Sequence, residues 1–338
     1  MTEVTCKTSE NEKREKIAVI YTGGTIGSTA DEKEIACGEK PPLALTQLYE
    51  QKHPGRVSFS AYEPYRILSE NLEPEHWKIL MAEIEKAATD SDGIIITHGS
   101  DTLLYTAAFL SLFYGSYEKP IVLVASNYVL TDARANGWFN FDSAVNFILQ
   151  KRGSGVFVAY ANTLQECFIH KGHFLGNTLN GSDRIYSIQD KWLGKYLPNG
   201  DYVENPAFTK RWETPAVPAL GKEPEEVIIP NQIDSVLYIK SMPGMAYPEL
   251  PEKTKAVLIE GYHSGTIGIS ESLKVFAQKA CDKEIPIYVT GLSGEELPYE
   301  TVQVYRELGI VPLSDTAPIF ALFLLWIFGS EAFAKVVE

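Results

Sequence analysis

An α/β fold is predicted, with a large N-terminal parallel-sheet domain and a smaller C-terminal α/β domain. Three observations predict it. Short apolar runs rich in β-branched residues recur at 17–20, 93–97 and 120–125, as expected of strands buried on both faces. Between them lie turns and segments with apolar residues at helical spacing, the alternation that builds a parallel sheet with helices on both faces. From about Gln189 to Pro230 the alternation stops, and prolines at 198, 206, 215, 218, 224 and 230 sit among charges. The domains are therefore set at 1–190 and 231–338, with 191–230 as the linker between them.

Taken in order, residues 1–15 are polar and read as a frayed tail. The strand at 17–20 ends at Tyr21-Thr22-Gly23-Gly24-Thr25-Ile26, where the Gly-Gly pair permits backbone conformations closed to other residues. Residues 29–40 lack periodicity and read as a flexible loop over that turn. A short helix is expected over 43–51 and an alternating strand over 57–62. Pro74 after Glu73, with Trp77, Leu80, Met81, Ile84 and Ala88 at helical spacing, marks a helix over 74–89. The strand at 93–97 runs into His98-Gly99-Ser100-Asp101-Thr102 and a helix over 103–114. Further strands are expected at 120–125, 156–160, 236–239, 256–259 and 285–290.

Composition narrows the function classes. An apolar fraction of 45% with 22% charged residues suits a globular protein. The net charge of −14 opposes a nucleic-acid partner, since phosphate binding needs a basic face. The longest apolar run, 319–328, is about half the ~20 residues of a membrane span and reads as a buried or interface helix. No membrane partner is expected. The four cysteines are widely spaced, without metal-ligand spacing, and the N-terminus has no apolar signal core. Both features point to a cytoplasmic protein.

The chemistry concentrates in two glycine turns. If their strands are neighbours, Thr25, Ser100 and Asp101 face one crevice at the carboxyl edge of the sheet, with backbone N–H groups to steady an oxyanion. A threonine hydroxyl is a weak nucleophile and needs an activating partner. His98 reads as a structural turn residue rather than a base. His170 and His173 read as a surface pair rather than a metal site, and no metal is expected. Residues 132–136 either line the crevice, face an interface or start a solvated helix.

The turns Thr22-Gly23-Gly24-Thr25-Ile26 and His98-Gly99-Ser100-Asp101-Thr102 resemble the TGGTI and HGTDT motifs of the bacterial-type L-asparaginase family. The resemblance covers nearly the whole chain. It implies an amidohydrolase that takes a small amino-acid amide, needs no cofactor and assembles as a homodimer or homotetramer. It makes Thr25 the nucleophile, and Ser100 the counterpart of the second motif's threonine. Asp101 becomes that motif's aspartate, which also contacts the substrate α-amino group. Lys171, in Phe168-Ile169-His170-Lys171, is the best match for the family's catalytic lysine; its alternative is an exposed residue beside two histidines. Ser69 and Glu70 fall on the family's substrate-binding serine and the polar residue after it.

The resemblance implies that Thr25 attacks the side-chain amide of L-asparagine, giving an acyl-enzyme and ammonia, and that water releases L-aspartate. Two departures stand out. Ser100 replaces a threonine and keeps the hydroxyl. The family's tyrosine on the loop after the nucleophile has no counterpart between Ile26 and Leu48, where Ile35 and Cys37 stand; Tyr49 and Tyr62 are the candidate stand-ins. Two rival readings follow. One is the amidase component of a tRNA-dependent amidotransferase, which the acidic charge opposes. The other is a catalytically degenerate homologue that senses an amino acid, which the missing tyrosine favours.

Overall fold

The computed structural model describes residues 14–30, 35–37, 44–178, 181–208, 227–294 and 299–337. The first part of the chain gives β1 (Glu15–Tyr21), β2 (Ser28–Ala30), β3 (Ile35–Cys37), α1 (Ala44–Lys52), β4 (Val57–Tyr62) and α2 (Pro74–Ala88). Then come β5 (Gly93–Thr97), α3 (Leu103–Tyr114), β6 (Pro120–Val124), α4 (Gly137–Leu149) and β7 (Gly155–Thr163). Three strands extend the same sheet: β8 (Glu166–Lys171), β9 (Trp192–Tyr196) and β10 (Tyr202–Glu204). The second unit holds β11 (Val236–Lys240), β12 (Ala256–Glu260), α5 (Glu271–Asp282), β13 (Ile287–Leu292), α6 (Thr301–Glu307), β14 (Ile310–Ser314) and α7 (Pro318–Val337).

The large sheet has eight strands in the order β10-β9-β8-β7-β6-β5-β1-β4, and the small one four in the order β11-β12-β13-β14. The stretch from β4 through β1, β5 and β6 to β7 is parallel. From β8 onward the strands return antiparallel. All four strands of the small sheet are parallel. The wholly apolar runs behave as their composition dictates: every residue of β5 and β6 is buried, covered by helices on both faces. β9 and β10 carry the large sheet past residue 190 into the predicted linker. Of that linker, residues 209–226 lie outside the described residues, as do 1–13 of the predicted tail. Within the predicted loop 29–40, β2 and β3 pair as a small antiparallel ribbon, and residues 31–34 and 38–40 lie outside the described residues.

Helix α2 starts where the sequence places it. Pro74 occupies its first turn, and the Glu73 N–H donates to His76 Nδ1 at 3.0 Å, which satisfies a donor the helix itself leaves open. Helix α7 answers the question left by the apolar run at 319–328. Its Ile319–Trp326 stretch is buried within the chain, in the core that joins α2 and α3 to β11, β12 and β13. The Trp77 ring of α2 meets Phe323 edge-on at 5.0 Å and Trp326 at 6.3 Å. Burial of each such aromatic side chain contributes about 1.5–3 kcal/mol. The run is thus consumed inside the protomer and gives no support to a subunit interface. Gly329, at φ 72°, breaks the helix beyond it.

Candidate active site

β1 and β5 are neighbours in register, with Tyr21 opposite Thr97. The turns that follow them are therefore side by side. Thr22 locks them by donating from both its N–H (3.3 Å) and its hydroxyl (2.7 Å) to the Thr97 carbonyl. The Gly-Gly pair is required twice over. Both glycines have positive φ, and a Cβ on Gly23 would fall 2.2 Å from the Ile67 carbonyl oxygen. A Cβ on Gly24 would fall 2.4 Å from Gly99 Cα. Only glycine permits that conformation and that approach. Thr25 and Ser100 each follow one member of this touching pair, so the two hydroxyl residues stand on adjoining turns at the carboxyl edge of the sheet.

A third segment joins them. The Ile67 N–H donates to the Thr22 carbonyl (3.1 Å) and the Gly24 N–H to the Ile67 carbonyl (2.9 Å), drawing in the 3-10 turn Ser69–Asn71. Gly24 therefore spends its N–H on structure and has none for an oxyanion. Ser69 is buried against Gly99: a Cβ there would lie 2.3 Å from Ser69 Oγ. The Thr102 hydroxyl donates to the Ser69 carbonyl at 2.9 Å. Thr25 and Ser100 are half-buried, whereas Glu70 and Asp101 are exposed. Three buried or half-buried hydroxyls beside two solvated carboxylates can receive a polar, positively charged head group.

Ser100 and Asp101 open into a cavity of about 330 Å³, lined also by Thr178, Gly181, Ser182, Asp183 and Ile185. Sequence reasoning does not point to these lining residues. They lie on an aperiodic segment, and what places it is a set of long-range bonds to the end of β7. The Tyr160 hydroxyl donates to the Asp183 carbonyl (2.8 Å), and Asn162 both donates to the Ile185 carbonyl (2.7 Å) and accepts its N–H (2.8 Å). A polar Asn162 ending an apolar strand is the one local sign of this strap.

Lys171 is not brought to the crevice. It pairs with Phe157 near the start of β7, because β8 runs antiparallel and descends toward the amino edge of the parallel strands. Its Nζ lies 5.0 Å from the Phe157 ring. Phe157 belongs to the core face opposite α3, the helix that Ser100 and Asp101 open. The lysine match is thus corrected by strand direction and by side-chain alternation. Among the described residues, no lysine lines the cavity. The histidine pair is corrected too: His170 and His173 are both buried. His170 Nδ1 meets Ser187 Oγ at 2.9 Å, and the His173 ring packs on Phe174 at 4.0 Å.

Tyr49 is fully buried among Phe59, Trp138 and Phe141, so it is no stand-in for a loop tyrosine. Tyr62 ends β4 and packs partly against the core. In the segment 132–136, Asn136 is buried and clasps Asn127 reciprocally at 3.0 Å, side chain to backbone in both directions. That segment fixes the start of α4.

His98 is a structural residue. Its Nδ1 lies 2.8 Å from the Gly99 carbonyl oxygen, its Nε2 2.8 Å from Thr106 Oγ1. Trp77 Nε1 donates to the same Thr106 oxygen at 3.0 Å. Burial pushes its pKa down to about 4, so the ring is neutral at physiological pH. Among the described residues, no three His, Cys, Asp or Glu side chains gather where they would hold a metal ion. Nor is any described helix long and apolar enough to cross a membrane.

The chain matches the model of the asparaginase N-terminal domain over residues 16–177. It is 28% identical to an L-asparaginase of Thermococcus kodakarensis, covering 96% of this chain and 97% of that one. It is 29% identical to a component of the glutamyl-tRNA(Gln) amidotransferase of Methanosarcina barkeri, covering 96% of this chain and 77% of that one. Among solved structures, the thermostable L-asparaginase of Thermococcus kodakarensis superposes with a TM-score of 0.71 at 22% identity, covering 96% of this chain and 97% of that one. Two glycine turns joined at one sheet edge, the N-terminal domain match and the end-to-end likeness agree: the chain is similar to L-asparaginases along nearly its whole length.

Proposed function

We propose that this protein is an amidohydrolase that converts L-asparagine to L-aspartate and ammonia through a threonine nucleophile. The observation that supports the reading is the contact of Gly24 with Gly99, the residues before Thr25 and Ser100, beside the cavity at Ser100 and Asp101. Thr25 Oγ1 attacks the side-chain amide carbon, and its proton passes by way of the Ser100 hydroxyl to the departing nitrogen. The C–N bond breaks, ammonia leaves, and an ester to Thr25 remains. Water adds to that ester, its proton returns to Thr25, and aspartate is released. The exposed carboxylates of Asp101 and Glu70 receive the α-ammonium group, with Ser69 beside them. Lys171 has no part in this relay, because it stands on the other face of the sheet.

The test is ammonia release from L-asparagine and L-glutamine by the wild type and by Thr25→Ala. Turnover confined to the wild type supports the reading; equal turnover in both overturns the nucleophile. A second reading has its own observations. A fully buried Tyr49, and a cavity that no lysine lines among the described residues, favour a degenerate homologue that binds an amino acid without hydrolysing it. Saturable binding of asparagine without turnover selects it. The likeness to an amidotransferase component keeps the tRNA-dependent role as a third outcome, opposed by the net charge of −14. We place the protein in the cytoplasm as a homodimer or homotetramer; light scattering of the purified protein checks the assembly.

A further inference from the structure

Three hydrogen bonds run in line beneath the candidate site, and their directions are fixed by chemistry. Trp77 Nε1–H is donor only, so Thr106 Oγ1 accepts it (3.0 Å). The Gly99 carbonyl is acceptor only, so His98 Nδ1 carries the proton (2.8 Å). The neutral ring then leaves Nε2 as acceptor of the Thr106 hydroxyl (2.8 Å). His98 and Thr106 are buried, and Trp77 is clamped by stacking on Phe109 at 4.8 Å and 13°. Both ring nitrogens are thereby occupied, and none remains for a substrate.

What this line holds is the peptide between Gly99 and Ser100. In a planar trans peptide the carbonyl oxygen and the following N–H point in opposite directions. Fixing the Gly99 oxygen therefore fixes the Ser100 N–H and the start of the 3-10 turn that carries Ser100 and Asp101. The turn needs such an anchor. Gly99 has no side chain to pack, and it must stay clear of Gly24 while resting on Ser69. On the other side the His98 N–H is held by the Val124 carbonyl at 2.8 Å.

We propose that His98 is a positioning residue for the Ser100–Asp101 turn, acting through the bond from its Nδ1–H to the Gly99 carbonyl. Its kinetic consequence rests on the amidohydrolase reading; the anchoring itself does not. Two substitutions separate the two ring nitrogens. His98→Asn keeps an N–H donor near the place of Nδ1 and loses the partner of Thr106. His98→Gln keeps an acceptor near the place of Nε2 and loses the donor to Gly99.

The experiment measures hydrogen exchange of the amides at 99–102, the melting temperature, and kcat and KM for L-asparagine, in wild type and both variants. Expected are faster exchange at 99–102 in His98→Gln only, and a kcat loss of about 10- to 100-fold there with KM little changed. His98→Asn is expected to keep kcat within about threefold, whatever its melting temperature does. Equal exchange and equal kcat in the two variants overturn the proposal and leave His98 a core residue. Exchange that separates the variants in a protein without turnover upholds the anchor and overturns the amidohydrolase reading.

Discussion

Gly99 and Ser69 meet so closely that a methyl group on the glycine would fall 2.4 Å from the serine Cβ. The contact makes two turns, one before α2 and one before α3, a single object. Gly99→Ala is therefore expected to lower stability by about 1–3 kcal/mol through overpacking. Ser69→Gly in the same chain should recover much of that loss, because it removes the atoms struck. A double-mutant cycle read by urea unfolding checks this; additive effects would show that the contact is not where the strain arises.

Lys171 offers a test of strand direction against motif matching. Lys171→Met is expected to leave asparagine turnover within about threefold of wild type. A loss of several hundredfold in the ammonia assay would return the residue to the site and require β8 to be placed otherwise.

Acid stability depends on two buried histidines. Burial pushes the pKa of His98 down to about 4 and that of His170 down to about 3. The unfolded chain takes up these protons near pH 6.5 and the folded chain does not. Between pH 6.5 and about 4 for His98, and down to about 3 for His170, the unfolded state binds more protons, so stability falls as pH falls. Above pH 6.5 neither contributes. Urea midpoints of wild type and His98→Asn across pH 4–7 check this: the variant should show the shallower decline over that window.

The buried Lys191 ammonium lies 2.5 Å from the Asp315 carboxylate and joins the loop after β8 to the end of β14. Gln189 reinforces the joint by donating to the Leu292 carbonyl at 2.9 Å. Removing one partner leaves a buried charge uncompensated, and Asp315→Asn is expected to destabilise by about 3–5 kcal/mol. Replacing both charges, as Lys191→Met with Asp315→Asn, should cost far less, since Asn tolerates the φ of 56° at that position. Thermal melts of the two variants decide the matter.

Much of the site is legible in the sequence because its signals are local. The apolar runs at 17–20 and 93–97 announce buried strands, and the glycines after them announce turns that no other residue permits. That these turns touch follows once the strands are neighbours. Lys171 misleads for a reason of a different kind. Its position depends on β8 returning antiparallel and on the face that alternation assigns to it, and neither is written in the residues around it. Thr178, Ser182 and Asp183 carry no signal of their own, because bonds from Tyr160 and Asn162 place their segment. The run at 319–328 is legible as buried, since a helix apolar all round must be covered, but the sequence does not say by what.

That covering has a consequence for synthesis. Helix α7 is the last of the described elements to leave the ribosome, yet its aromatic residues close the core over Trp77 and Phe109 of α2 and α3. The larger domain, begun first, waits for α7 to finish its interior. Until then it carries an open apolar face, the condition under which nascent chains aggregate or recruit chaperones.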